Sequence, residues 1–65
     1  MRKLELMIET WSTPRTGTVY RWSLWEDGKR LVSGGSHPEA ESAEAEALLY
    51  CNEHLKRRPD RVTRL

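Results

Sequence analysis

Polar and apolar residues alternate without a break from Lys3 to Trp11, with Leu4, Leu6, Ile8 and Thr10 on one side and Lys3, Glu5, Met7, Glu9 and Trp11 on the other. A period of two is the signature of a strand buried on one face. Ser12-Thr13-Pro14-Arg15-Thr16-Gly17 is turn chemistry with two strong breakers and reads as a loop between antiparallel neighbours. Two further alternating runs, Tyr20–Glu26 and Lys29–Ser33, are joined by Asp27-Gly28. That pair favours a type I′ turn, in which both central residues take positive φ. The turn sets Glu26 opposite Lys29, Trp25 opposite Arg30, Leu24 opposite Leu31, Ser23 opposite Val32 and Trp22 opposite Ser33. Tyr20, Trp22, Leu24 and Leu31 then share the core face, while Val19, Arg21, Ser23, Trp25, Arg30 and Val32 share the outer one.

Gly34-Gly35 reads as the end of the sheet. Ser36-His37-Pro38-Glu39 has the form of a helix start, with Ser36 as N-cap, proline in the first turn and Glu39 completing a capping box. The alanine-rich stretch that follows predicts a helix to about Arg57, because the residue before Pro59 disfavours the α region. On a helical wheel Ala40, Ala43, Ala47, Leu48, Cys51 and Leu55 form one apolar stripe. Glu44 falls on the same stripe, so either it sits at the margin or the stripe is rotated. Leu49 points away from the core. Residues 59–65 form a tail in which Val62 and Leu65 either add an edge strand or dock loosely, fraying being the default for a terminus. The expected fold is α+β: a three-stranded antiparallel meander with one C-terminal helix across one face, β-β-β-α.

A chain of 65 residues is one small domain near the lower limit for folding without metal or disulfides. Its apolar content of 37% is low but does not mark disorder, and three tryptophans help to fill a core. Cys51 is the single cysteine and has no internal partner, which points to a reducing cytoplasm. No apolar run is long enough to span a bilayer and no signal-peptide pattern is present, so neither membrane nor export is expected.

The net charge of +1 is unevenly spread, with five glutamates and no base in residues 38–53 and five bases with one acid from His54 onward. The outer sheet face is the first candidate surface. Trp25, Arg21, Arg30 and Trp11 belong to the residue types that dominate protein interfaces, and Trp25 opposite Arg30 is placed for a cation–π pair worth roughly 0.5–1 kcal/mol when exposed. The glutamate row Glu39, Glu41, Glu44, Glu46 and Glu53 is either an ordinary solvated helix face or a ridge that imitates a nucleic-acid backbone. Leu49 adds an apolar point for a partner or a homodimer. The second surface is the basic patch Lys56, Arg57, Arg58, Arg61 and Arg64, which would hold phosphates if the chain bound nucleic acid. Its ordinary reading is complementation of the helix dipole.

Chemistry is poorly provided for. Cys51 and His54 are one turn apart, but zinc needs three or four ligands, and no nucleophile–base–orienter set or Gly-rich phosphate loop is visible. Cys51 reads as a small buried hydrophobe. No catalytic residue, metal site or cofactor is expected.

The Gly17-x-x-Tyr20 strand entry, the Asp27-Gly28-Lys29 turn, Val32 and the Gly35-Ser36-His37-Pro38 step into an Ala-rich helix resemble small accessory proteins of phages and prophages, some anti-CRISPR proteins among them, over about half of the chain. The resemblance implies a non-enzymatic inhibitor that binds a host protein complex in the host cytoplasm. That group shares no fixed active motif, so no site residue carries over. The layout also looks like the arm-binding domains of phage integrases, without the strongly basic strands expected there.

Overall fold

The computed structural model describes residues 3–15 and 17–65. Thr16, in the loop predicted after the first strand, lies outside the described residues. Strands β1 (Leu4–Thr13), β2 (Gly17–Glu26) and β3 (Lys29–His37) are followed by helix α1 (Ala40–Tyr50), a π-helical turn (Cys51–Leu55) and strand β4 (Arg61–Arg64). The sheet runs in the order β3-β2-β1-β4. The first three strands form the predicted antiparallel meander, but β4 joins the far edge parallel to β1. The fold is therefore α+β with a four-stranded mixed sheet, which corrects the three-stranded expectation.

The alternation in β1 translates directly into burial: Leu4, Leu6 and Ile8 are each no more than 1% exposed and form the floor of the core with Trp22, Leu24, Ala43, Ala47 and Cys51. Asp27 (φ 50°) and Gly28 (φ 80°) both take positive φ, as a type I′ turn requires. Glu26↔Lys29 and Trp25↔Arg30 pair as expected.

Beyond that point the register slips. Leu24 faces Val32 and Ser23 faces Ser33, so Leu31 is an extra residue on β3. A bulge of this kind reverses the alternation. Val32 therefore packs on the core and Leu31 is 46% exposed, the reverse of the predicted assignment. A second irregularity sets Gly34 and Gly35 against Trp22, after which Arg21 pairs with Ser36 and Tyr20 with His37. The glycines do not end the sheet. A Cβ on Gly34 would meet the Trp22 indole, so glycine here admits the ring of a cross-strand tryptophan.

Because β3 continues to His37, Ser36 cannot cap the helix. Glu39 is the N-cap, in extended conformation and without a side-chain capping bond. Ala43, Ala47 and Cys51 are buried on the predicted stripe, and Ala40 and Leu55 pack beside them. Leu48 departs from it, at 39% exposed. In the Cys51–Leu55 turn, widened by i→i+5 bonding, Cys51 is buried and Leu55 packs beside the core. The turn then stops at Lys56, whose left-handed φ of 57° breaks the helix two residues before Arg58.

Asp60 fastens the tail: its backbone N–H donates to the Leu4 carbonyl at 2.7 Å, and its carboxylate accepts from the Leu4 N–H at 2.8 Å. The bond from the Leu4 N–H, with the Arg57 guanidinium nearby, holds its carboxyl below the usual range. One helix of about 10–12 Å diameter cannot cover four strands spaced about 4.8 Å apart. α1 lies over β2 and β3, touches β1, and leaves the backbone of β4 uncovered.

Candidate partner-binding surface

The face of the sheet opposite α1 carries no covering element among the described residues. The register arranges its side chains in rows across the strands. Arg30, Trp25, Glu5 and Arg61 make one ridge. Arg21 and Glu9, with Trp11 and Val19 beyond them, make a second. Between the ridges runs a low row of Ser33, Ser23, Met7 and Thr63. Four residues along a strand separate the ridges by about 13 Å.

Each ridge is internally tied. The Trp25 indole N–H donates to the Ser23 hydroxyl at 2.8 Å, so the ring leans over Ser23 and leaves that side chain 4% exposed. The guanidinium of Arg21 sits 5.9 Å from the Trp11 ring centroid. The cation–π contact thus involves Arg21 and Trp11, while Trp25, the partner expected for Arg30, bonds to Ser23. Thr63 donates to the Glu5 carboxylate at 2.9 Å and the Arg61 guanidinium lies 3.8 Å from it, which locks β4 to the ridge. Of the residues the sequence singled out, Trp11, Arg21, Trp25 and Arg30 are brought together. Ser23, Met7 and Thr63, which complete the surface, were not singled out as site residues; Met7 and Ser23 could have been, from the alternation of β1 and β2.

The glutamate row does not survive as a row. Glu46 turns to the β3 side, where its Oε1 accepts from the Trp22 indole at 2.6 Å and lies 3.2 Å from His37 Nε2. The bond from Trp22 first, and His37 second, hold its carboxyl below the usual range. Glu44 turns to the opposite side and accepts from Arg64 at 3.0 Å, which places it at the margin of the stripe. Glu41 is exposed, with its carboxylate 3.9 Å from Arg64. Leu49 is 57% exposed on the helix and remote from the outer sheet face.

The basic patch is likewise dispersed. Arg57 meets Asp60 at 2.8 Å and Glu26 at 3.7 Å, Arg64 reaches α1, and Arg61 lies on the outer ridge. Lys56 and Arg58 are exposed at the end of the helix. Burial pushes the Cys51 thiol up, which disfavours the thiolate. His54 stacks on Tyr50 with ring centroids 4.5 Å apart, and Tyr50 in turn lies 5.8 Å from Trp22. Among the described residues no three His, Cys, Asp or Glu side chains converge as a metal site, and no helix is long and apolar enough to cross a membrane.

No family model, curated protein or solved structure matches this chain. Its surfaces are the guide to what it does.

Proposed function

We propose that the chain is a small, non-enzymatic protein-binding module that receives its partner on the outer sheet face. The observation that carries this reading is the pair of ridges, Trp25 with Arg30 and Trp11 with Arg21, bounding a trough of serines, Met7 and Thr63. The rows that carry the ridges lie about 13 Å apart along the strands, and Trp25 leans into the space between them over Ser23, so the face offers a partner a shallow surface with an aromatic at its centre. Both ridges mix charge signs, Arg30, Glu5 and Arg61 on one and Arg21 and Glu9 on the other. Neither a polyanion nor a polycation is favoured there, whereas a mixed protein surface is.

The same point weighs against the nucleic-acid alternative, because Arg57, Arg61 and Arg64 are engaged with carboxylates. The resemblance to phage accessory proteins would make the partner a host complex and the module its inhibitor, although Gly35-Ser36-His37, part of that resemblance, is strand here and not a helix cap.

A photoreactive residue at Ser33, in the trough, tests the proposal. Cross-linking in host lysate should label one protein, survive nuclease, and be lost in the Trp11→Ala/Trp25→Ala variant while far-UV circular dichroism is unchanged. Labelling that vanishes with nuclease, or ignores the tryptophans, would overturn it.

A further inference from the structure

Between the Arg30 end of one ridge and the Arg21 end of the other, the outer face dips into a recess of about 100 Å³. Its lining includes both arginines, Glu9, Trp11 and two hydroxyl side chains, Ser23 and Ser33. Ser33 is exposed at the rim, whereas Ser23 is 4% exposed. The Ser23 oxygen already accepts from the Trp25 indole, so what the hydroxyl has left to offer is its own proton. No acceptor among the described residues takes that proton. A donor so nearly buried is costly to leave unmet.

Both arginines are placed to receive an acceptor. Trp25 is bonded to Ser23, and the exposed Arg30 side chain makes no hydrogen bond or ion pair with another described residue. Arg21 lies over the Trp11 ring, a contact that holds the guanidinium by its face and leaves the N–H donors in its plane available. Glu9 stands opposite Arg21 across β1 and β2 but makes no ion pair with it. Two arginines less one glutamate leave the recess a net charge of +1. That balance matches one carboxylate. A phosphate group, at about −1.5 to −2, would be left partly uncompensated and would meet Glu9. The size agrees, because about 100 Å³ lies well under the roughly 300–1,000 Å³ of small-molecule pockets and takes a single side-chain head group.

Resting on the reading of the outer face as a protein-binding surface, we infer that this recess receives one aspartate or glutamate side chain of the partner protein. Arg30 and Arg21 are its ionic partners, and the Ser23 hydroxyl is a donor at the floor. Glu9 supplies selectivity, turning away doubly charged groups by repulsion.

Nuclear magnetic resonance titration of the full chain with the capped peptide acetyl-Gly-Glu-Gly-amide, at an ionic strength held constant with chloride, tests the inference. The Trp25 indole N–H resonance reports on the recess, because that group is bonded to Ser23. It should shift along a saturable curve in the millimolar range, and the glutamine counterpart of the peptide should give no saturable shift. Arg30→Gln should weaken binding roughly three- to fivefold with circular dichroism unchanged. Lys29→Gln, which removes the neighbouring exposed base, should leave it as it was. Glu9→Gln should act in the opposite sense, tightening the peptide and favouring sulfate, a doubly charged probe, more still. Equal shifts with the two peptides would overturn the inference. So would an effect of Lys29→Gln as large as that of Arg30→Gln, or tighter binding of sulfate than of the peptide to the native chain. Cross-linking from Ser33 decides the wider reading separately: tryptophan-dependent labelling without selectivity for the glutamate peptide refutes the carboxylate site alone.

Discussion

Trp22 and Trp25 are three positions apart, and the division between them is the clearest lesson at the scale of single residues. Trp22 is 4% exposed, lies over Gly34, and hands its indole N–H to Glu46 at the helix. Trp25 lies on the other face and bonds within the sheet. Gly34 is required by this packing and Gly35 is not, since a Cβ on Gly35 would meet nothing within 4 Å. Gly34→Ala should therefore destabilise by about 1–3 kcal/mol, as overpacking does, and lower the thermal midpoint by several degrees. Gly35→Ala should leave the midpoint nearly unchanged. Equal effects at the two glycines, in paired thermal melts, would contradict the placement of the ring.

Glu46 gives a second residue-level expectation. Its carboxyl is held below the usual range by the Trp22 indole and by His37. A lowered folded-state pKa means that the contribution is present in full above the unfolded value and is lost as pH falls through the folded one. Glu46→Gln keeps an acceptor for Trp22 but removes the titration. The variant should melt below the native chain at neutral pH, and the gap should close as pH falls through the carboxylate range, where the native Glu46 is also neutral. Asp60 is lowered as well and retains its own share of the acid dependence in both proteins. Parallel curves of midpoint against pH would show that Glu46 contributes nothing through its charge.

At the scale of elements, what was legible in the sequence and what was not divides by the range of the interaction. β1 was legible because its alternation is unbroken, and the Asp27-Gly28 turn because positive φ at two successive residues demands those side chains. The bulge at Leu31 was not, because Leu31-Val32 offers two adjacent apolar residues and either can face inward. Gly34-Gly35 read as punctuation, whereas Gly34 is a cross-strand accommodation to Trp22. β4 has four residues, too few for a period, and is fastened by Asp60 to Leu4 from the far end of the chain. The aromatic ridges were legible from local alternation, and the dispersal of the basic patch was not, since it depends on where β4 docks. The bulge can be tested directly. Val32→Ser should cost about 1–2 kcal/mol through lost apolar burial, while Leu31→Ser should stay within about 0.5 kcal/mol. The reverse order in denaturant titrations would restore the unbulged register.

At the scale of the whole molecule, the sheet and one helix make a body only 15 Å through its thinnest dimension, with 41 Å along its longest. Such a body buries one core and leaves the outer sheet face bare, while Leu49 stands exposed on the helix at the other side of that core. Side chains so separated should act additively. Trp11→Ala/Trp25→Ala should abolish cross-linking from Ser33 while far-UV circular dichroism stays unchanged, and Leu49→Lys should leave both the labelling and the circular dichroism as they were. Loss of labelling by Leu49→Lys would show that the partner also engages the helix, and the assignment of binding to the sheet face alone would have to be abandoned.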